Sequence, residues 1–371
     1  MGQKLATLLQ NQGERCVLVF ANHNYEKIEE NQYTLNPAHP QNFQRLLEDS
    51  LGADYPRGIV HLWSQDNRFE NDHNQPALQH AQILGSGSVL HLVQALIKKT
   101  WDHSPRLYLV TRGGQAVLSS QVQVEQSPLW GLGRTIASEH PELQCICLDL
   151  DFQTESVQSL FEELWSSEKE SQVAWRKNKR HVARLEQQTI SPRLDKKPII
   201  RDNSSYLITG GTGSLGLQMA QWLAEQNAQH LILMSRQTTT TDVIKNTITQ
   251  IEQTGVSVSI VKADVANENE LNKVLEQIKN HPFPLRGVIH AAGVLEDGML
   301  IGQNWERFEK VMAAKVYGAW NLHQLTADMA LDFFVMFSSA ASVLGNRGQS
   351  NYAAASGLST ESELPKMSNF V

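Results

Sequence analysis

The stretch that decides the fold runs from residue 205 to residue 216 and has the sequence Ser-Tyr-Leu-Ile-Thr-Gly-Gly-Thr-Gly-Ser-Leu-Gly. An apolar run typical of a strand leads through closely spaced glycines into a segment whose apolar residues recur at helical spacing. This order suits a dinucleotide, because glycines let the backbone approach a pyrophosphate at the positive end of a helix. It predicts a nucleotide-binding loop made of Thr209, Gly210, Gly211, Thr212, Gly213, Ser214, Leu215 and Gly216.

The next predicted strand, residues 231 to 234, indicates which dinucleotide is bound. An NAD-binding fold places an acidic residue after this strand, where the carboxylate holds the ribose 2′-hydroxyl. Here the strand is followed by Ser235 and Arg236, and a guanidinium is a suitable partner for a 2′-phosphate. We therefore expect NADPH in preference to NADH.

The composition is that of a soluble globular protein with room for two domains, since 41% of the 371 residues are apolar and 19% are charged. A net charge of −7 argues against binding to nucleic acid. No stretch approaches the roughly 20 apolar residues of a membrane span, and no apolar signal core is present near residue 1, so we expect a cytoplasmic protein with no membrane partner. The three cysteines do not have the spacing of metal ligands, and we expect no metal site.

Strand and helix patterns alternate along both halves, which predicts an α/β fold with two Rossmann-like lobes. We expect a structural subdomain over 1–185, a polar linker over 186–203 and a catalytic subdomain over 204–357. Residues 57–61 resemble residues 286–290, and the strands that follow each piece are also similar, which favours a duplicated unit. The first copy lacks the glycine-rich loop, so we interpret it as a degenerate scaffold.

Three residues of the second half form a catalytic set for ketone reduction, because hydride transfer leaves negative charge on an oxygen that must receive a proton. A tyrosine can donate this proton if a nearby ammonium lowers its pKa, and a serine hydroxyl can bind the same oxygen. Lys315, Ser339 and Tyr352 supply these groups. We expect the small-residue turn Ala291, Ala292 and Gly293 to lie against a cofactor ring, and His290 to be structural. Asp264 binds an adenine amino group or, alternatively, caps the helix after it.

These pieces together resemble the ketoreductase domain of modular polyketide synthases, a relative of the short-chain dehydrogenases/reductases. The resemblance covers nearly all of residues 15–355 and includes the motifs at 209–216, 235–236, 264–265, 290–293, 338–339 and 351–355. In the first half, residues 128–134 are similar to the structural-subdomain signature of the family, although a glycine-bent turn before a helix is an alternative interpretation. The family assigns cofactor contacts to Asp264 and Val265, and makes Ser339 rather than Ser338 the catalytic serine.

The resemblance implies NADPH-dependent reduction of a β-ketoacyl thioester to a β-hydroxyacyl thioester in polyketide biosynthesis. The implied partners are an acyl carrier protein, whose phosphopantetheine arm delivers the substrate, and neighbouring polyketide synthase domains. Tyr352 would donate the proton, Ser339 would bind the ketone oxygen, and Lys315 would tune the tyrosine. Leu295 and Asp297 match a motif of reductases that give the D-alcohol (B-type), with Glu296 replacing an aspartate.

The chain departs from the family pattern after Tyr352. Ser356 stands where the family has asparagine, and residues 358–371 are polar where an apolar helix and a buried strand are expected. We therefore expect a disordered tail over 358–371, a catalytic sheet that lacks its C-terminal elements, and weak activity or none. Two other functions stay open: a noncatalytic module that still binds NADPH, and a freestanding reductase of small ketones.

Overall fold

A computed structural model describes residues 1–52, 54–66, 74–118, 122–152, 157–187, 200–237 and 241–361. They divide into two compact units, the first of which comprises Met1–Leu185, Glu296–Phe308 and Ala340–Glu361. The second unit holds the described residues of Glu186–Leu295 and Glu309–Ser339. This division differs from the predicted subdomains, because residues 296–308 and 340–357 belong to the first unit.

The second unit is a doubly wound α/β fold, as predicted. Its strands are β9 (Ser205–Thr209), β10 (His230–Ser235), β11 (Ser257–Lys262), β12 (Leu285–His290) and β13 (Phe333–Met336). They follow the order β11-β10-β9-β12-β13, every neighbouring pair is parallel, and the order reverses between β9 and β12. The helices include α7 (Ser214–Glu225), α8 (Asp242–Gln253), α9 (Glu268–Lys279) and α11 (Gly318–Thr326), while α10 (Trp305–Met312) begins in the first unit.

The central strand β9 is buried along its whole length, which explains its continuous apolar sequence. Tyr206 of this strand stacks on Phe333 of β13 with the ring centroids 5.7 Å apart. A Cβ at Gly287 would overlap the Phe333 ring, so this glycine leaves the space in which the ring lies. The stack forms one side of the apolar core of the second unit.

The first unit has a five-stranded sheet of order β4-β5-β6-β7-β8, in which only the last pair is antiparallel. Its strands are β4 (Gly58–His61), β5 (Arg106–Arg112), β6 (Ile146–Leu150), β7 (Gln172–Arg176) and β8 (Lys179–Val182). A separate sheet contains β1 (Leu18–Ala21), which pairs with β3 (Gln32–Leu35), and β3 also pairs with β2 (Glu26–Glu29). The helices are α1 (Gly2–Gln10), α2 (Pro40–Leu51), α3 (Gln75–Gln82), α4 (Ser88–Lys98), α5 (Pro128–Glu139), α6 (Val157–Leu164), α12 (Ala340–Leu344) and α13 (Ser350–Glu361).

Helix α13 pairs with α5 inside the first unit, and small residues allow their backbones to approach closely. A Cβ at Gly131 would overlap the Ala353 carbonyl, and a Cβ at Gly357 would lie 2.8 Å from the Ser127 carbonyl oxygen. Gly131 lies within α5, which begins at Pro128. The alternative interpretation of residues 128–134 as a glycine-bent turn before a helix is therefore wrong. The predicted tail is wrong for residues 358–361, because α13 continues to Glu361; positions 362–371 lie outside the described residues.

The two units share a pattern that supports a duplication. His61 of β4 pairs with Leu109 of β5 as His290 of β12 pairs with Met336 of β13. A five-residue π-helical turn follows in each copy, Ile83–Gly87 in the first and Ala313–Tyr317 in the second. Lys315 is the third residue of its turn, whereas the third residue of the first turn is glycine. The first copy therefore lacks the lysine, as expected for a scaffold.

Asp149 lies near the carboxyl end of β6, where its carboxylate accepts hydrogen bonds from several buried donors. Its carboxylate accepts from the Thr111 hydroxyl at 2.6 Å and the Gly114 amide at 2.8 Å, and it pairs with the Arg176 guanidinium. Asp149 and Thr111 are fully buried, so water does not replace a lost partner. This network stabilises the carboxyl ends of the strands in the sheet of the first unit. In the second unit, the corresponding edge of the sheet carries the glycine-rich loop.

Replacing Asp149 with alanine should lower the free energy of unfolding by about 3 kcal/mol, because a buried guanidinium and two buried donors lose their acceptor. Urea unfolding would measure the change. The matched control is Asp54→Ala, which removes an exposed partner of Arg15 and should change stability by less than about 0.5 kcal/mol. Equal losses in the two variants would contradict this role of Asp149.

Candidate active site

The predicted site residues belong to both units. The second unit holds the nucleotide loop, the other cofactor-binding positions, Lys315, Ser339 and Leu295. The first unit holds Asp297 and Tyr352. The two sets are therefore described in turn, each by the contacts within its own unit.

The loop after β9 is formed by close backbone approaches that only glycine permits. Gly210 has a φ of +68°, and a Cβ there would lie 2.7 Å from the Ala291 carbonyl oxygen. A Cβ at Gly211 would lie 2.7 Å from the Leu233 Cα atom, and one at Gly216 would overlap the carbonyl of Gly210. Helix α7 then begins at Ser214 with Gly213 at its N-cap, where no side chain covers the first amide groups. This cradle fits the pyrophosphate of a dinucleotide.

The end of β10 presents positive charge beside the loop. Arg236 follows this strand and is exposed, and Ser235 is half-buried. Lys262, the last residue of β11, pairs in register with Ser235 and is also exposed. Lys262 is not among the residues predicted from the sequence, because neighbours across a sheet are set by strand register and not by spacing along the chain. Two cations at this edge suit a 2′-phosphate.

Asp264 and Val265 lie in the turn after β11. The Asp264 carboxylate accepts from the Ala266 amide at 3.0 Å, while Asn267 caps α9 by accepting from the amides of Asn269 and Glu270. The alternative that Asp264 caps this helix is therefore wrong, and its contact with adenine stays a prediction. The Asn321 side chain donates to the Val265 carbonyl at 3.1 Å and to the next carbonyl, which holds the turn in place.

Lys315 is a buried ammonium in the π-helical turn. Its Nζ atom donates to the Phe337 carbonyl at 2.9 Å, just before Ser338 and Ser339, which are half-buried. Burial lowers the pKa of Lys315 to about 8. A Cβ at Gly293 would be 3.7 Å from the Lys315 Cε atom, so the 291–293 turn lies beside this lysine. The ammonium is charged at neutral pH and loses its proton as the pH rises through about 8.

His290 is structural, as predicted. Its Nε2 donates to the Ala314 carbonyl at 3.0 Å, because a carbonyl can only accept, and its Nδ1 therefore accepts from the Thr209 hydroxyl at 2.6 Å. Burial, followed by the charge of Lys315, lowers the pKa of His290 to about 3. The neutral ring ties the end of β9 to the π-helical turn that carries Lys315.

Tyr352 lies in the first turn of α13 and is half-buried. Burial and, to a smaller extent, the charge of Asp297 raise the pKa of Tyr352. This direction is opposite to the expected lowering, mainly because the phenol is half-buried and secondly because the Asp297 carboxylate lies near it. The phenol carries its proton at neutral pH.

The segment that contains Asp297 is fastened to the loop before Tyr352. The Gln349 side chain donates to both carboxylate oxygens of Asp297, at 3.2 and 3.1 Å, and the Asn351 side chain donates to the Glu296 carbonyl at 2.7 Å. Glu139, at the end of α5, accepts from the Leu300 amide at 2.7 Å and from an amide of the other loop, that of Gly348, at 2.8 Å.

Sequence reasoning missed Glu139, Gln349 and Asn351 as positioning residues. Gln349 and Asn351 are close to Tyr352 in the chain and could have been noticed from that proximity. Glu139 is separated from its two partners by 161 and 209 positions, so no local pattern points to it. One carboxylate thereby joins the segment that contains Asp297 and Leu300 to the loop before Tyr352 within the first unit.

In Glu139→Gln, one carboxylate oxygen becomes an amide nitrogen, which cannot accept a hydrogen bond from a backbone amide. The substitution should therefore loosen the segment around Leu300 and the loop around Gly348. Amide hydrogen exchange of Leu300 and Gly348 should become about tenfold faster, the equivalent of losing roughly one hydrogen bond. Glu142→Gln, at a nearby exposed side chain, serves as the control and should leave both rates unchanged. Unchanged exchange in Glu139→Gln would rule out this clamp.

Comparison with protein families gives one match in each half of the chain. A model described as KR domain matches residues 204–361, and a model described as Beta-ketoacyl synthase-like, N-terminal matches residues 2–168. Among curated proteins, a phenolphthiocerol/phthiocerol polyketide synthase component of Mycobacterium tuberculosis is 37% identical over 274 residues, which cover 72% of this chain. Those residues are 15% of the relative, so this chain spans a small part of its length.

Solved structures give the same result over most of the chain. A structure described as A-type ketoreductases from a modular polyketide synthase has a TM-score of 0.75 and 30% identity, and the match covers 89% of this chain and 70% of that one. The N-terminal ketoreductase from the macrolactin assembly line has a TM-score of 0.78 and 25% identity, with coverage of 96% and 72%. In the described part of the chain, no helix is long and apolar enough to cross a membrane.

Proposed function

The chain belongs to the ketoreductase domain family of modular polyketide synthases, and from this premise we propose that it reduces a β-ketoacyl thioester to the β-hydroxyacyl thioester with NADPH. The observation that carries the proposal is the arrangement of the second unit. The glycine cradle, the 291–293 turn and the buried Lys315 ammonium occur together in that unit, and Lys315 contacts the strand end before Ser339. A nucleotide and a polarised ketone are the ligands that such groups suit.

The substrate is proposed to arrive on the phosphopantetheine arm of an acyl carrier protein, in the cytoplasm and beside other polyketide synthase domains. The support is indirect: the chain matches only a small part of relatives named as polyketide synthases. A domain that acts inside such a synthase must receive its substrate from a carrier and not from free solution. The freestanding reductase of small ketones is less well supported for this reason.

NADPH supplies the hydride when it is bound, and the protein must then protonate the resulting alkoxide. Tyr352 is the proposed donor, because its raised pKa keeps the phenol protonated at neutral pH. Ser339 is the proposed second donor to the ketone oxygen. Lys315 supplies a positive charge that stabilises the developing negative charge, and this contribution falls as the pH rises through about 8. Arg236, with Lys262, is proposed to hold the 2′-phosphate.

The D-alcohol (B-type) is the proposed product. Leu295 is 62% exposed, and Gln349 holds the Asp297 carboxylate through both of its oxygens. An acidic side chain that is held in place and lies close enough to Tyr352 to raise its pKa can restrict how a thioester approaches the proposed donor. One of the compared structures is described as A-type. A sequence identity of 30% does not extend the stereochemical class of that structure to this chain.

A catalytically impaired, NADPH-binding remnant is the second candidate. Ser356 occupies the position of the family asparagine and is fully buried in α13. A short hydroxyl cannot reach the positions that an asparagine amide reaches. This candidate predicts cofactor binding without turnover, a result that the following assay would distinguish.

Tyr352→Phe should reduce turnover at least 100-fold, because general acid catalysis contributes roughly 10²–10⁴-fold. The assay follows NADPH oxidation with a β-keto thioester surrogate and determines the configuration of the alcohol. The Kd for NADPH should stay within about twofold, and Tyr55→Phe, at an exposed tyrosine, should match the unmodified chain. Full activity in Tyr352→Phe would overturn its role as donor; NADPH binding without turnover in the unmodified chain would select the impaired remnant.

Arg236→Ala should remove most of the preference for NADPH over NADH. A hydrogen bond to a charged group contributes about 1.5–3 kcal/mol, which corresponds to roughly 10-fold to 100-fold in relative affinity. Fluorescence titration with both nucleotides measures the ratio. Arg184→Ala, at an exposed arginine of the first unit that pairs with Glu170, is the control and should leave the ratio unchanged. An unaltered preference in Arg236→Ala would refute the assignment of this guanidinium to the 2′-phosphate.

A further inference from the structure

Two cysteines of the first unit lie side by side beneath α5. Cys145 directly precedes β6 and Cys147 is the second residue of that strand, and both are free and buried. A Cβ at Gly133 of α5 would overlap the Cys147 sulfur and would lie 3.9 Å from the Cys145 sulfur. Both sulfurs therefore face the same point on the helix. The missing side chain at Gly133 leaves the space in which the two thiols meet.

The two thiols line a cavity of about 240 Å³. Its other lining residues include Arg134, Gln172 and Ser171, and Ser171 is exposed. Leu344, also in the lining, is 63% exposed. The cavity therefore extends from the buried thiols to the surface of the first unit.

Positive charge next to the pair favours a thiolate. The Arg134 Nε atom donates to the Gln172 side chain at 3.0 Å, which holds the guanidinium at the cavity. A hydrogen bond from Cys145 and the charge of Arg134 lower the pKa of Cys147, against the effect of burial. The thiolate is the form that attacks electrophiles and binds soft ions. Both cysteines therefore supply a sulfur ligand, and the Arg134 guanidinium lies beside them.

We propose that Cys145 and Cys147 form a dithiol site for a thiophile that bridges two sulfurs, such as a trivalent arsenical or a two-coordinate soft cation. A bridging atom suits the spacing better than a direct disulfide. Residues two apart on a strand have Cα atoms about 6.6 Å apart, close to the upper limit of about 6.8 Å for a disulfide. Thiolates also prefer soft metal ions to hard ones.

The reaction with an aryl arsenoxide balances without an oxidant. Two sulfur–arsenic bonds form, the arsenic–oxygen bond breaks, and the two thiol protons leave with that oxygen as one water molecule. Arsenic stays trivalent throughout. The site requires both sulfurs, since a single thiol gives an adduct that other thiols displace.

Phenylarsine oxide is the probe, and intact-mass spectrometry of the folded full chain is the measurement. We expect one arsenical per chain that survives excess glutathione and is removed by 2,3-dimercaptopropanol. Proteolysis and mass mapping should assign it to the peptide with residues 145–147. Cys16→Ser is the matched control and should retain the adduct, whereas Cys145→Ser and Cys147→Ser should each lose at least 90% of it.

The wild-type measurements keep the proposal testable if a serine variant fails to fold, a property that circular dichroism would reveal. Reaction only after denaturation, or an adduct that glutathione removes, would overturn the proposal. An adduct mapped to Cys16 would also overturn it. Loss of two hydrogens under dilute peroxide, with no retained arsenical, would show that the pair closes as a disulfide and would overturn the bridging geometry. None of these readouts depends on reductase activity, so the proposed function and the dithiol site can fail separately.

Discussion

The close passage of backbone against backbone at the end of β9 is the constraint on which the second unit depends. A Cβ added at Gly210 would lie 2.7 Å from the carbonyl oxygen of Ala291, in the turn after β12, and one added at Gly211 would lie 2.7 Å from the Cα atom of Leu233 in β10. A side chain at either glycine would push α7 away from the sheet. The same absence of side chains leaves the amides at the start of α7 open toward a phosphate, so one steric requirement produces both the packing and the nucleotide cradle.

A second close approach, between α5 and α13, determines the composition of the first unit. Gly131 and Gly357 let the two helices approach until backbone touches backbone, and Glu139 adds hydrogen bonds to two loops. This packing places residues 340–361 in the first unit although they follow the last strand of the second. The subdomain boundaries predicted from chain order therefore differ from this division at residues 296–308 and 340–357.

Electrostatics differ between the two groups of predicted catalytic residues. Burial lowers the pKa of Lys315 to about 8, so the ammonium is charged at neutral pH and loses its proton as the pH rises through that value. Tyr352 is held in its protonated form by burial and by Asp297. Both groups suit a reaction in which negative charge develops on a ketone oxygen. A protonated phenol can donate a proton to that oxygen, and an ammonium can stabilise its charge.

The amino-acid sequence alone determined the α/β class and the position of the glycine loop, because these depend on local patterns of apolar residues and glycines. Only the tertiary structure revealed Lys262 beside Ser235, Glu139 between two loops, and Asp297 close enough to Tyr352 to raise its pKa. Those relations join residues that are distant in the chain, and strand register and helix packing bring them together in ways that no local pattern encodes.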